Sequence, residues 1–284
     1  MWGYIELFIV AFIFSTGGIL IKTSRLMCGP ETISFYRFFL GIFFLIAIFL
    51  VKKRKPVWTF SWLLLAGAAC KALHYMGENY GVSRGYSYGG IIVWPAQTVF
   101  LALAEIFIYK EKISRRNLLS ILLCLTGIAM ISWNGASMDA FLTEQLPLTF
   151  VFLLAALGSA LFTMVQKKLL GEMDTLTANL SMFSMASVIT FPPAILSGNF
   201  YLGFRWDSAF CLMCLGAITG ITFLMISDSM KTVPIYLVPV IQSTTVIFTI
   251  LWAILFMHEP VTRYIVIGSA VFLIGLIMVK KEKA

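Results

Sequence analysis

Residues 62–80 read WLLLAGAACKALHYMGENY. A bilayer crossing takes about 20 mostly apolar residues, and this stretch is long enough to make one. Yet it carries Lys71, His74 and Glu78. At about 100° per residue their i, i+3, i+7 spacing places them within an arc of roughly 60° on a helix. A charged side chain at membrane depth costs about 3 kcal/mol or more even on lenient insertion scales. Such groups are expected to face another helix or a wet cavity. The stretch is therefore expected to line a polar path, with the rest of the chain forming the wall around it.

The composition agrees with a membrane setting. Of the residues, 60% are hydrophobic and 12% charged, and mean hydropathy is +0.93. Soluble domains carry about 25% charged residues, and no water-soluble core could absorb this much apolar surface. An all-α integral membrane protein is expected, with the lipid bilayer as its setting. The net charge of +8 does not point to nucleic acid, because the basic residues cluster at the ends of apolar runs, as the positive-inside rule describes. The five cysteines read as small membrane-buried thiols. Cys211 and Cys214 form a C-x-x-C, but no second pair or histidine cluster accompanies it, so neither a metal nor another cofactor is expected. MWGYIELFIVAFIF at the start lacks a basic leader and a small-residue cleavage site, and reads as a retained first helix.

Ten spans are expected: Trp2–Ile21, Thr32–Val51, Trp62–Tyr80, Tyr88–Tyr109, Asn117–Trp133, Pro147–Leu169, Thr175–Ser197, Ser208–Met230, Ile235–Met257 and Val261–Val279. The runs are too long for barrel strands and lack their alternation. Residues 1–133 are expected to form one five-helix unit and 147–284 a second. The linker 134–146 between them contains no Lys or Arg. With the N-terminus inside, fourteen Lys and Arg fall on inner loops and five on outer ends, with Arg37 and Lys71 inside spans. Both termini are thus expected in the cytoplasm.

The two units echo each other. FIYKEKISRRNLLSILLCLTGIAMI from Phe107 and LFMHEPVTRYIVIGSAVFLIGLIMV from Leu255 each place a Glu between two apolar runs. Glu111 and Glu259 are 148 apart. Five is odd, so the second copy must insert upside down relative to the first. Ten transmembrane helices arranged as two inverted five-helix repeats are the expectation, an architecture recurrent among transporters.

The order of these features resembles the drug/metabolite transporter superfamily, in its ten-helix EamA type. The first half carries Ser15, Gly17, Gly18 and Lys22 in its first helix, then Pro30 and an aromatic–Arg start to the second (Phe35, Tyr36, Arg37). NYGVSRGYSYGG (79–90), Pro95 and Glu111 follow, and SDSMKTVPIYLVP (227–239) with Glu259 repeats the pattern more loosely. Pro95 sits 16 residues before Glu111 and Pro239 sits 20 before Glu259, so the helix-breaking points of the two halves are expected to differ. The resemblance implies a bacterial inner-membrane exporter of amino acids or other small metabolites. It also implies that Gly127 and Gly275 form a dimer or scaffold face, leaving a monomer or a homodimer open.

Candidate binding residues are Lys71, His74, Tyr75, Glu78, Trp94, Gln97 and Gln242. Glu78 could exchange a proton, since burial and a nearby cation pull its acidity in opposite directions; a Lys71–Glu78 pair that only joins helices is the plainer alternative. His74 could relay a proton or pack, and Lys71 could bind a carboxylate or snorkel. Trp94 and Gln97 lie one turn apart as an aromatic wall plus an amide, and the 148 offset relates them to Gln242 and Thr245. Interhelical hydrogen bonding is the alternative for both glutamines. Gln166 and Lys167 read as an inner-end cap, Asp228 and Lys231 as an interfacial pair, and Tyr75, Tyr80, Tyr86 and Tyr88 as an outer aromatic cluster. Glu105 is placed to pair with Lys110 or Lys112.

No H-E-x-x-H, paired-Asp motif, Ser/His/Asp set or Walker sequence is present. The leading reading is a secondary transporter of small metabolites such as amino acids or amines, exporting them with protons as the coupling ion. A membrane-embedded enzyme acting on a lipid or prenyl carrier is the second, and a non-transporting receptor the third.

Overall fold

The computed structural model describes residues 2–107, 114–234 and 237–278, all joined as helices and short connections. Glu111, Lys110 and Lys112 lie outside the described residues, as does the side chain of Glu105. The helices are α1 (Trp2–Ser15), α2 (Gly17–Ser24), α3 (Pro30–Val51), α4 (Trp62–Arg84), α5 (Val93–Phe107), α6 (Arg115–Trp133), α7 (Met138–Ala140), α8 (Leu146–Leu169), α9 (Thr175–Leu196), α10 (Trp206–Ser229), α11 (Leu237–Gln242), α12 (Thr245–Met257) and α13 (Arg263–Met278). Among the described residues, seven helical stretches are long and apolar enough to cross a membrane, and Gly89–Ala104 and Arg263–Met278 are shorter apolar helices. The helix α4 is 23 residues long but is not among the seven, because Lys71, His74, Glu78 and Asn79 lower its hydropathy.

Helix starts follow local chemistry. Ser61 Oγ accepts from Leu64 N at 3.1 Å and Asp174 Oδ2 from Thr177 N at 3.2 Å, satisfying amides that a helix leaves orphaned at its start. The first expected span is broken at Thr16, between α1 and α2. A 3₁₀ turn, Gly89–Ile92, leads into α5. The ninth span is broken at residues 243–244, between α11 and α12. Pro95 and Pro239 are each the third residue of their helix, where no intrahelical N–H bond is lost. The breaks fall instead beside Ser and Thr. Ser243 Oγ bonds the Pro239 carbonyl at 2.6 Å, a local bond that competes with the helix ladder.

Helix α4 packs along α8 and α9, α3 along α9 and α10, and α6 along α13. The last contact is tight. A Cβ on Gly127 would stand 2.6 Å from the Gly268 carbonyl oxygen, and one on Gly275 would stand 3.0 Å from that of Ser120. Ser120 Oγ donates to Gly275 O at 2.6 Å. Ser120 precedes Gly268 by 148 residues and Gly127 precedes Gly275 by the same number, so the two contacts exchange under the repeat offset. Cys124 and Phe272, also 148 apart, meet each other at 3.9 Å. Gly127 and Gly275 are therefore spent inside this α6–α13 seam.

The polarity of the protein is turned inside out. Phe43, Phe150, Val188, Phe210, Ile247 and Ile274, from six helices, are exposed, whereas Arg37, Lys71, Asn79 and Gln97 are buried. Large apolar side chains exposed on so many helices mark a surface built to meet lipid. The chain is a multi-pass membrane protein.

Candidate functional site

The buried polar residues converge on one cavity. Lys71, His74, Tyr75 and Glu78 reach it from α4, Trp94 and Gln97 from α5, and Gln242 from α11, so all seven candidates stand in one wall system. Arg37, Gln166, Phe162 and Phe223 complete it. The cavity leaves ≈ 60 Å³ for the centres of water molecules, room for a few waters.

Its electrostatics divide into two unlike halves. Arg37 Nη1 donates to Glu78 Oε2 at 3.2 Å and to Asn79 Oδ1 at 2.9 Å, and its guanidinium lies 3.6 Å from the centre of the Tyr75 ring. Asn79 is held in turn by donating to Ser34 Oγ at 2.8 Å. The Arg37 side chain is 3% exposed and that of Glu78 23%, so the carboxylate is the wetter partner. Removing one member of such a buried pair typically costs about 3–5 kcal/mol. The alternative Lys71–Glu78 pair is not formed.

Lys71 instead lies 2.9 Å from His74 Nδ1. Its ammonium stands 3.6 Å from the Phe223 ring centre, 4.7 Å from that of Tyr75 and 4.8 Å from that of Phe162. Ring faces attract cations, by about 2 kcal/mol when desolvated, so three rings partly replace the water this residue has lost. Gln97 is bonded to α8 at both ends of its amide: its Nε2 donates to Thr163 Oγ1 at 3.0 Å and its Oε1 accepts from Ser159 Oγ at 3.1 Å. It thus ties helices together while standing in the wall. Gln242 Nε2 has no partner among the described residues.

Two placements differ from expectation. Tyr75 is not part of an outer aromatic cluster; it is fully buried and stacks on Phe38 with centroids 5.2 Å apart, because α4 carries it into the interior on the face of Lys71. Tyr86 and Tyr88 do stack, at 5.0 Å. Gln166 is not a surface cap. It is buried, donates to Ser227 Oγ, and leaves its own Oε1 unpaired at the cavity. Asp228 and Lys231 do pair, at 2.6 Å. Sequence reasoning passed over Arg37 as a site residue, although a lone Arg inside an apolar run is itself a signal. Phe162 and Phe223 carry no such signal.

Toward the 134–146 linker the cavity is closed by a polar latch. Ser87 N donates to Glu259 Oε1 at 2.9 Å and Oε2 at 2.8 Å, and Ser87 Oγ donates to Oε2 at 2.7 Å. Lys22 Nζ stands 3.9 Å from Glu259 Oε1 and donates to the Gly85 carbonyl. Beyond the latch opens a cleft of ≈ 680 Å³ that Lys22, Arg84, Tyr86 and Glu259 help to line. Ser87 faces the inner cavity and Glu259 the outer cleft, so their bonds form the partition. No group of three or more His, Cys, Asp or Glu that could hold a metal occurs among the described residues.

The sequence profile of the EamA-like transporter family matches residues 1–133 and 147–280. An uncharacterized inner membrane transporter, YhbE, of Escherichia coli K12 is 26% identical over 237 residues, covering 79% of this chain and 71% of its own. The protein of the same name from Shigella flexneri matches with the same figures. Among solved structures, one crystal structure of a protein aligns with a TM-score of 0.72 at 14% identity over 97% of this chain and 95% of its own. That likeness shows a shared fold.

Proposed function

This chain belongs to the EamA-like transporter family, and from its cavity we propose that it is a secondary transporter working by alternating access. It moves small metabolites such as amino acids or amines outward across a bacterial inner membrane, using the proton gradient. Ten spans form two inverted five-helix repeats, units 1–133 and 147–284, with both termini in the cytoplasm. The reciprocal contacts of α6 and α13 support the inverted arrangement, since contacts that exchange under a fixed offset are what a two-fold relation between copies produces.

One observation carries the reading: an Arg37–Glu78 pair and Lys71 are held in one cavity inside an apolar exterior. Buried charge of this kind is costly and marks ion or substrate paths. Glu78 is the coupling group, because a proton on its carboxylate removes the charge that holds its pair with Arg37. Lys71, His74, Tyr75, Trp94, Gln97 and Gln242 hold the solute. The Ser87–Glu259 latch is the gate at the linker end, and the protein works as a monomer or a homodimer.

Purified protein in liposomes should show saturable solute flux that responds to an imposed pH gradient. Glu78→Gln should abolish or uncouple that flux while the protein stays monodisperse. Normal pH-dependent flux in Glu78→Gln would refute the proton role. Absence of saturable flux for every solute tried would refute transport.

A further inference from the structure

We propose that the cavity selects small organic monoanions, a carboxylate carried on one apolar group, over amines of the same shape. The inference rests on the transporter reading and, among the small metabolites of that reading, sets carboxylates ahead of amines.

The charges facing the cavity are Arg37, Lys71 and Glu78, with His74 beside them. Glu78 is committed to Arg37 at 3.2 Å. Among the described residues no carboxylate stands within ion-pair distance of Lys71, whose contacts are a ring nitrogen and three ring faces. With Glu78 paired to Arg37, an ammonium at Lys71 leaves the cavity one net positive charge. A solute anion would balance it, and a solute cation would double it. The cavity has room for only a few waters to screen either interaction.

The unpaired hydrogen-bonding groups point the same way. With Nδ1 facing the Lys71 ammonium at 2.9 Å, His74 Nδ1 is assigned as acceptor and Nε2 carries the hydrogen. That Nε2 is buried and unpartnered among the described residues, as is Gln242 Nε2. Both residues line the cavity. They offer two N–H donor groups against one lone acceptor, Gln166 Oε1. Buried donors left without an acceptor are costly, and an anion's oxygens satisfy them while an ammonium does not. Phe14, Trp94, Phe162 and Phe223 supply the apolar wall for the rest of the solute.

Three probes share one skeleton and differ in charge: phenylacetate, phenylacetamide and phenethylamine. Equilibrium dialysis of labelled phenylacetate against the purified full chain measures binding, and the unlabelled three compete. Phenylacetate is expected to bind saturably and to displace itself, while a tenfold excess of the amide or the amine leaves it bound. Lys71→Met should weaken binding about tenfold or more. Glu78→Gln should preserve or raise it, because Arg37 is then released to the anion. If Lys71→Met fails to fold, Gln242→Leu gives the second reading, with a drop of about threefold or more. Displacement by phenethylamine or phenylacetamide as strong as by phenylacetate would overturn the proposal. So would loss of phenylacetate binding in folded Glu78→Gln. Saturable flux of an amine in liposomes with no phenylacetate binding would overturn the anion selectivity and leave transport standing. Phenylacetate binding with no flux of any solute would support the selectivity and refute transport.

Discussion

Ser87 and Glu259 lie 172 residues apart and share three hydrogen bonds, of 2.7, 2.8 and 2.9 Å. One residue belongs to the turn between α4 and α5 and the other to the turn between α12 and α13. Each half of the chain therefore supplies one side of the closure, and opening the linker end means parting these two turns.

Glu259→Gln should loosen that closure. Hydrogen bonds to a charged group contribute about 1.5–3 kcal/mol, so weakening them shifts the closed–open balance by about tenfold or more. A cysteine placed at Gly90, which lines the inner cavity beneath the latch, should react correspondingly faster with a water-soluble maleimide. An unchanged rate would show that the latch does not gate the cavity.

Gly18 and Gly17 should respond oppositely to alanine. A Cβ on Gly18 would collide with the Ser87 carbonyl, whereas one on Gly17 meets nothing within 4 Å. Gly18→Ala should push the latch turn away and lower thermal stability by about 1–3 kcal/mol, the usual cost of overpacking. Gly17→Ala should be close to neutral, and detergent-solubilised melting curves compare the two.

Trp94→Ala and Gln97→Ala should both raise the solute concentration for half-maximal transport. They should differ in stability. Gln97 bonds both Thr163 and Ser159, so its loss also loosens α5 from α8, by about 1–3 kcal/mol. Unchanged half-saturation in both variants would remove α5 from the binding wall.

At the opposite end, Arg54 holds Asp174 through two bonds of 3.2 and 3.1 Å. Partial burial alone would raise this carboxyl, but the bonds from Arg54 and Thr177 outweigh it and hold the group below the usual carboxylate range. A lowered native value means the stabilisation is present above the unfolded value, about 3.9, and is lost as the pH falls through the native one. Asp174→Asn keeps the helix cap and should lower the melting temperature slightly at neutral pH. The gap should close on acidification and shrink in salt, because the Asp174 side chain is 43% exposed. A gap independent of pH would contradict the charge pair.

The α4 constellation was legible because charge inside an apolar run is costly and one helical face gathers it. The partner of Glu78 was not. Arg37 lies 41 residues away on another helix, and spacing along one helix says nothing about which neighbour crosses it. Proline marked the region of the broken helices but not the break, since Pro95 and Pro239 fit a first turn and the chain opens at Thr16 and at residues 243–244. Gln166 was misplaced because its neighbours Lys167 and Lys168 read as a surface end. Phe162 and Phe223 were invisible because an aromatic side chain in an apolar run looks the same whether it faces lipid or a cavity.

Alternating access requires one cavity that opens in turn to each side of the membrane. In a cysteine-free background, Gln242→Cys places a thiol in the cavity wall. An impermeant maleimide applied to right-side-out and to inverted vesicles should label it from both sides, and a transported solute should slow both reactions. Labelling from one side only, or from neither, would contradict alternating access.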